Sequence, residues 1–145
     1  MMTNTSLPPK LLRVVDANLN RLKEGIRVVE DIMRYGYNNK TFSSQLKELR
    51  HLAHIEFQKQ LLQNRDSIND VLKESIEDEL LRSDELSIIS ANFKRAEESA
   101  RVLEEVFKLY STKQSELFKH IRYKLYDLEK TIILQEYKKT TSNSK

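Results

Sequence analysis

Two arginines and two asparagines stand at matched places in this chain, and helix formation alone does not demand them. Residues 17–31 read ANLNRLKEGIRVVED, and residues 91–105 read ANFKRAEESARVLEE. Ala17, Asn18, Arg21, Glu24, Arg27, Val28 and Glu30 recur as Ala91, Asn92, Arg95, Glu98, Arg101, Val102 and Glu104. On a helix turning about 100° per residue, Asn18, Arg21 and Gly25 form one column at the edge of the apolar stripe. Asn92, Arg95 and Ser99 form the same column in the second copy. A guanidinium presents paired donors that match phosphate or carboxylate geometry. Two such columns around a shared cavity would bind an anionic ligand with two charged groups. The same columns also suit a buried structural network, in which Arg21 pairs with Glu24 or with a carboxylate across the bundle. The small third member leaves room for a ligand or for a closely approaching helix.

Other charged residues join these as candidates. Arg50 and Arg122 recur one residue after apolar Leu49 and Ile121, as anion ligands or as arginines on a solvated face. Arg65, Asp66 and Asp70 fall in a connector, where carboxylates hold Mg²⁺ beside phosphates or simply solvate a turn. Glu24 and Glu98 lie near the columns as partners for a metal or for arginine. Some chemistries are excluded. There is no cysteine, hence no disulfide or thiolate site. No glycine-rich loop of the GxxxxGK[ST] or GxGxxG type is present to cradle phosphates. Glu48 and His51 have the spacing of a di-iron ligand pair, but the motif occurs once where two are needed.

The elements that would carry these residues are helices. Leu12, Val15, Leu19, Leu22, Ile26, Val29 and Met33 recur at steps of three and four, which predicts a helix from about Lys10 to Tyr35 with Gly36 as its C-terminal cap. A second helix is expected over about 42–63, a connector with a short helix inside over 64–83, and a third helix from Ser83 or Asp84 to about Tyr110. Ser111 and Gln114 match a capping box that opens a fourth helix through Ile132. Leu46, Lys47, Leu49 and Arg50 recur as Phe118, Lys119, Ile121 and Arg122, so the duplicated unit is a helical hairpin. The expected fold is all-α: four long helices from two hairpins (about 10–63 and 84–138) in one bundle-like domain over 1–140. A loose arm over 1–8 and a disordered tail at 141–145 flank it. A homodimer of bundles is the other arrangement the pattern admits.

The net charge of +3 is small and its signs are mixed, which does not argue for nucleic acid as a partner. No apolar run approaches the ~18–20 residues that span a bilayer, so no membrane partner is expected. The first ten residues lack the apolar stretch of a signal peptide, and a cytoplasmic location follows as the expectation.

The stretches DANLNRLKEGIRVVED (16–31), LKELRH (46–51), RDSINDV (65–71), ANFKRAEESARVLEE (91–105) and IRYKLYDLEK (121–130) occur in that order. Together they resemble the helical domain at the N-terminus of some bacterial thiamine-phosphate synthases, also known as a free-standing hydroxymethylpyrimidine phosphate kinase. The resemblance covers about residues 11–130. It implies transfer of the ATP γ-phosphoryl onto hydroxymethylpyrimidine phosphate, with Mg²⁺. The acceptor is already an ionised phosphate, so catalysis would consist of aligning and neutralising phosphates. In that reading Arg21 and Arg95 clamp donor and acceptor. Asn18, Asn92, Lys94, Arg50, Arg122 and Arg65 bind substrate and phosphate, with Lys94 marking the ATP side. Glu24, Glu98, Asp66 and Asp70 carry Mg²⁺. The alternative is a non-catalytic helical module that binds a phosphate metabolite or associates with a thiamine-phosphate synthase, as a partner or as a fusion. The glycine-rich barrel loops of the synthase are missing from this chain, so the synthase step itself is not expected of it.

Overall fold

The structure, a computed structural model, describes residues 7–75 and 81–143, of which 137–143 are described as backbone only. Every regular element among the described residues is helical: α1 (Pro9–Asp31) running into a π-helical turn (Ile32–Gly36), α2 (Lys40–Leu52), α3 (Gln58–Asn64), α4 (Glu85–Phe107) and α5 (Thr112–Asn143). The all-α, bundle-like expectation holds. Proline at the first turn of α1 loses no hydrogen bond there. Asp84 and Ser87 close a reciprocal capping box at the start of α4. At α5, only half of the expected box forms: Ser111 Oγ accepts from the Gln114 N–H at 3.2 Å.

Two elements depart from the expectation. The helix expected over 42–63 breaks into α2 and α3 at Ala53–Phe57. Ala53, Ile55 and Phe57 are all buried, whereas His54 and Glu56 are exposed. A helix would turn Ile55 away from the other two, and an extended segment buries all three. Phe57 then reaches the far end of the core, 6.1 Å from the Phe107 ring and edge-on to Tyr110 at 5.6 Å. Phe107 stacks on Phe118 at 5.6 Å, so this aromatic cluster ties α3 to the α4–α5 turn. The second departure is at the end of α1. Gly36 does not adopt a left-handed conformation; Asn38 does, at φ 51°. The π-helical turn ahead of it is closed by the Tyr37 N–H on the Ile32 carbonyl, at 3.1 Å.

Three expectations fall partly outside the described residues. Of the loose arm, residues 1–6 lie outside them, and Leu7 is buried in the core. Of the connector, 65–75 form turns without a helix and 76–80 lie outside. Of the tail, Ser144 and Lys145 lie outside, while the backbone of α5 reaches Asn143.

The packing follows the duplication. α1 and α4 pack together as the central pair, α2 and α3 lie on α1, and α5 lies on α4. The stripe of α1 (Leu12, Val15, Leu19, Leu22, Ile26, Val29, Met33) is buried along its length. Each such side chain contributes ~1.5–3 kcal/mol when fully removed from water. Within each hairpin a buried glutamate of the first helix meets the repeated arginine of the second. Arg50 donates to Glu30 through two nitrogens at 2.7 and 3.1 Å. Arg122 donates to both oxygens of Glu104 at 3.1 and 3.0 Å. The repeated asparagines turn inward on their own helices: Asn18 Nδ2 donates to the Val14 carbonyl at 2.9 Å, and Asn92 Nδ2 to that of Ile88 at 2.8 Å.

The room beside the columns is taken by a helix. A Cβ at Gly25 would stand 2.9 Å from the Asn92 carbonyl oxygen and 3.3 Å from the Ala96 Cβ, so this glycine lets α1 and α4 approach. Propensity alone favours alanine at an interior helical position by ~1 kcal/mol. Gly25→Ala is nevertheless expected to lower the melting temperature, because the atom in the way is backbone. Thermal unfolding followed by circular dichroism checks the sign; a rise would mean that α1 and α4 are not held this close.

Candidate functional site

A groove of about 440 Å³ runs between the first half of α1 and the start of the connector. It is lined from α1 by Lys10, Arg13, Asp16, Asn18, Asn20 and Arg21, and from the connector by Arg65, Asp66, Ser67 and Asp70. Five residues singled out in the sequence therefore meet here: Asn18, Arg21, Arg65, Asp66 and Asp70.

The connector lies on α1 because of charge. The Asp16 carboxylate is only 8% exposed and takes two hydrogen bonds from Arg65, at 2.7 and 2.8 Å. This fork-on-carboxylate geometry holds the Arg65 guanidinium above its usual pKa, through the hydrogen bond to Asp16 first. Arg13 adds a bond of 2.8 Å to the Asp66 carbonyl. The Asp66 carboxylate organises the turn itself, accepting the Asn69 N–H at 3.1 Å and the Asn69 side-chain amide at 2.8 Å. Those bonds hold its pKa below the usual carboxylate range. Asp70 accepts the Leu72 N–H at 3.0 Å. With these groups committed, Lys10 and Arg21 stand out. Among the described residues, neither has a carboxylate within ion-pair distance, and Arg21 is exposed at the groove. Asn18 keeps its side-chain oxygen free of that duty.

The remaining candidates lie elsewhere. Arg95 and Glu98 are exposed on α4, and Glu24 is exposed on α1; none lines the groove. Asn92 is spent on its own helix, as above. Arg50 and Arg122 are engaged by Glu30 and Glu104, so their recurrence belongs to the hairpins. Lys94 is held between Glu97 and Glu129, at 3.3 and 3.2 Å. For Mg²⁺ the donor set does not assemble. Asp66 and Asp70 serve local turns, Glu24 and Glu98 sit on separate helices, and among the described residues no three metal-binding side chains converge.

Sequence reasoning missed Asp16, Arg13 and Lys10. The signal for Asp16 was the cation in the connector that a buried acid on α1 needs. It also missed Glu97, a buried carboxyl on α4. Burial pushes the Glu97 carboxyl up to about 8, reinforced by the neighbouring Glu129 and opposed by Lys94. The Lys94 ammonium is held above its usual range, chiefly by its hydrogen bond to Glu129.

Fold and groove together define a small helical module with an open, charge-lined groove beside a duplicated scaffold. The chain belongs to the ThiD2 family, whose pattern matches residues 13–131. Among curated relatives, the thiamine-phosphate synthase of Synechocystis sp. is 37% identical over 87% of this chain and 37% of its own length. That of a Nostoc sp. is 37% identical over 83% and 35%, and that of Prochlorococcus marinus subsp. pastoris 35% identical over 86% and 36%. The chain thus spans about a third of the length of these relatives. No solved structure matches. These names correct the kinase expected from the resemblance. The relatives that match the chain almost throughout are synthases, in which the helical region is one part, and ATP and Mg²⁺ lose the support that the kinase lent them. No helix among the described residues is long and apolar enough to cross a membrane.

The raised Glu97 carboxyl gives stability a defined pH dependence. The unfolded carboxyl titrates near 4.5 and the folded one at about 8. Between these values the folded state binds the extra proton, so stability is full below the lower value and falls as pH rises to the upper. Glu97→Gln is expected to flatten this part of the profile and to melt a few degrees higher than the parent chain above pH 8. Melting curves across pH 5 to 9 check it; an unchanged slope in the variant would mean that Glu97 is ionised throughout.

Proposed function

We propose that this chain is the helical module of thiamine-phosphate synthesis. It associates with the synthase part, within one polypeptide or as a separate chain, and holds thiamine phosphate in the groove between α1 and the connector. One observation carries the association: relatives named thiamine-phosphate synthase match the chain over more than four fifths of its length while extending far beyond it. The groove supports the ligand. Thiamine phosphate joins a cationic ring to an anionic phosphate, and the groove offers both signs. Arg21 and Lys10 supply cations without carboxylate partners, and Arg21 brings the paired donors that suit phosphate. Asp70 holds the Leu72 N–H through Oδ1 only, and its exposed carboxylate still presents Oδ2 to the ring from the opposite wall. The Asp16–Arg65 pair holds that wall in place. No proton transfer or bond cleavage is asked of these residues; the module's role is to bind and to present.

The test has two arms. In a ¹⁵N NMR titration, thiamine phosphate is expected to shift the amides of α1 and of residues 65–70, and thiamine without phosphate to do so far less. Arg21→Ala is expected to weaken binding about tenfold or more, the scale of a lost charge-assisted hydrogen bond. In sedimentation velocity, the chain is expected to form a complex with the Synechocystis relative from which the matched region has been removed. Silent groove amides would overturn the ligand assignment. Independent sedimentation of the two proteins would overturn the association.

A further inference from the structure

At the other end of α1 a second pocket of about 330 Å³ opens between the end of that helix and α2, bordered by Arg34, Lys40, Ser43, Ser44 and Lys47. Arg34 lies ~20 Å from Arg21 along the helix, at 1.5 Å per residue, so this pocket is separate from the groove. Among the described residues, Arg34, Lys40 and Lys47 have no carboxylate within ion-pair distance. The Glu30 carboxylate in the wall is neutralised by Arg50. The site does not rest on the end of α2, because the Asn39 side chain already caps it by accepting the Phe42 N–H at 2.9 Å. Ser43 is bonded to backbone carbonyls, and Ser44 is exposed.

The duplication supplies an internal comparison. Glu30, Ser43 and Lys47 recur in the second hairpin as Glu104, Ser115 and Lys119, so the scaffold of the pocket is repeated. Its charge is not. Arg34 corresponds to Lys108, which is neutralised by Glu105 at 2.6 Å, while Glu105 also takes Arg101 at 3.1 Å. The matching carboxylate in the first hairpin is Asp31, one methylene shorter. It pairs with Arg27 at 3.3 Å and leaves Arg34 over the Tyr35 ring at 4.9 Å. Lys40 becomes Thr112, and Ser44 becomes Glu116. The first hairpin therefore gathers three uncompensated cations and a hydroxyl around a pocket, whereas its counterpart keeps one such cation, Lys119, with Lys108 paired and the carboxylate of Glu116 in place of the hydroxyl.

We infer that the pocket at Arg34, Lys40 and Lys47 binds a phosphate group, as free phosphate or as the head of a phosphate monoester. This goes beyond the groove reading and stands independently of it. In a ¹⁵N NMR titration of the whole chain, inorganic phosphate or glycerol phosphate is expected to shift the Ser43, Ser44 and Lys47 amides, with a Kd of about 1 mM or tighter. The tighter of the two ligands identifies the source. K40Q combined with K47Q is expected to weaken binding about tenfold or more, and K108Q combined with K119Q to leave it unchanged. No shift at these amides by about 10 mM of either ligand would overturn the site. So would equal weakening by the two double variants, which would mark a general charge effect. Loss of binding in R21A would also overturn it, by placing the phosphate in the groove.

Discussion

Inside each hairpin a glutamate is buried where an unpaired carboxylate would be costly, and an arginine from the next helix meets it. The Glu30 side chain is 2% exposed and the Glu104 side chain 4% exposed. Removing a charge from water costs several kcal/mol, and the attraction of a partner offsets this only when the geometry is good. Arg50 meets Glu30 through a forked contact, and its pKa is held up first by that hydrogen bond. Such a pair specifies alignment, because sliding α2 along α1 by one turn would strand a buried charge. The second pair is built less completely: Arg122 reaches both oxygens through one nitrogen, and its Nε is buried without a partner among the described residues.

With each hairpin aligned, the remaining architecture follows from how the two meet. Gly25 admits the Asn92 carbonyl of α4, which sets the central crossing. The hairpins then differ in what lies over them. In the first, Asp16 draws Arg65 and the connector onto α1, and a groove results. In the second, the place of Asn20 is taken by Lys94, which is consumed by Glu97 and Glu129. A duplicated scaffold thus carries unduplicated charge. Lys10 and Arg21 in the groove and Arg34 with its lysines in the pocket all belong to the first hairpin, whereas Arg95, the repeat of Arg21, is exposed on α4 away from both.

Periodicity made the helices legible, and the repeat made the hairpins legible, because both are properties of the apolar pattern. Burying Ala53, Ile55 and Phe57 together required an alternating reading of five residues inside a helical one, so the break between α2 and α3 was hidden. In the site, Asn18, Arg21, Arg65, Asp66 and Asp70 were visible as residue types, and the structure brings them together. Their roles were not visible, since Asp16 looks like any carboxylate on a helix until Arg65 folds over it. The recurrence of Arg50 and Arg122 suggested ligand binding. It reflects instead the parallel recurrence of Glu30 and Glu104, a pairing readable only when both repeats are aligned through both helices.

The most direct test of this account is a double-mutant cycle on Glu30 and Arg50, with unfolding by urea as the readout. Glu30→Ala and Arg50→Ala are each expected to destabilise the chain by ~3–5 kcal/mol, since each strands a buried charge. The double variant is expected to cost less than their sum, with a coupling of ~1–3 kcal/mol that exceeds the same cycle at Glu104 and Arg122. Additivity within ~0.5 kcal/mol would contradict the claim that this pair holds the hairpin in register.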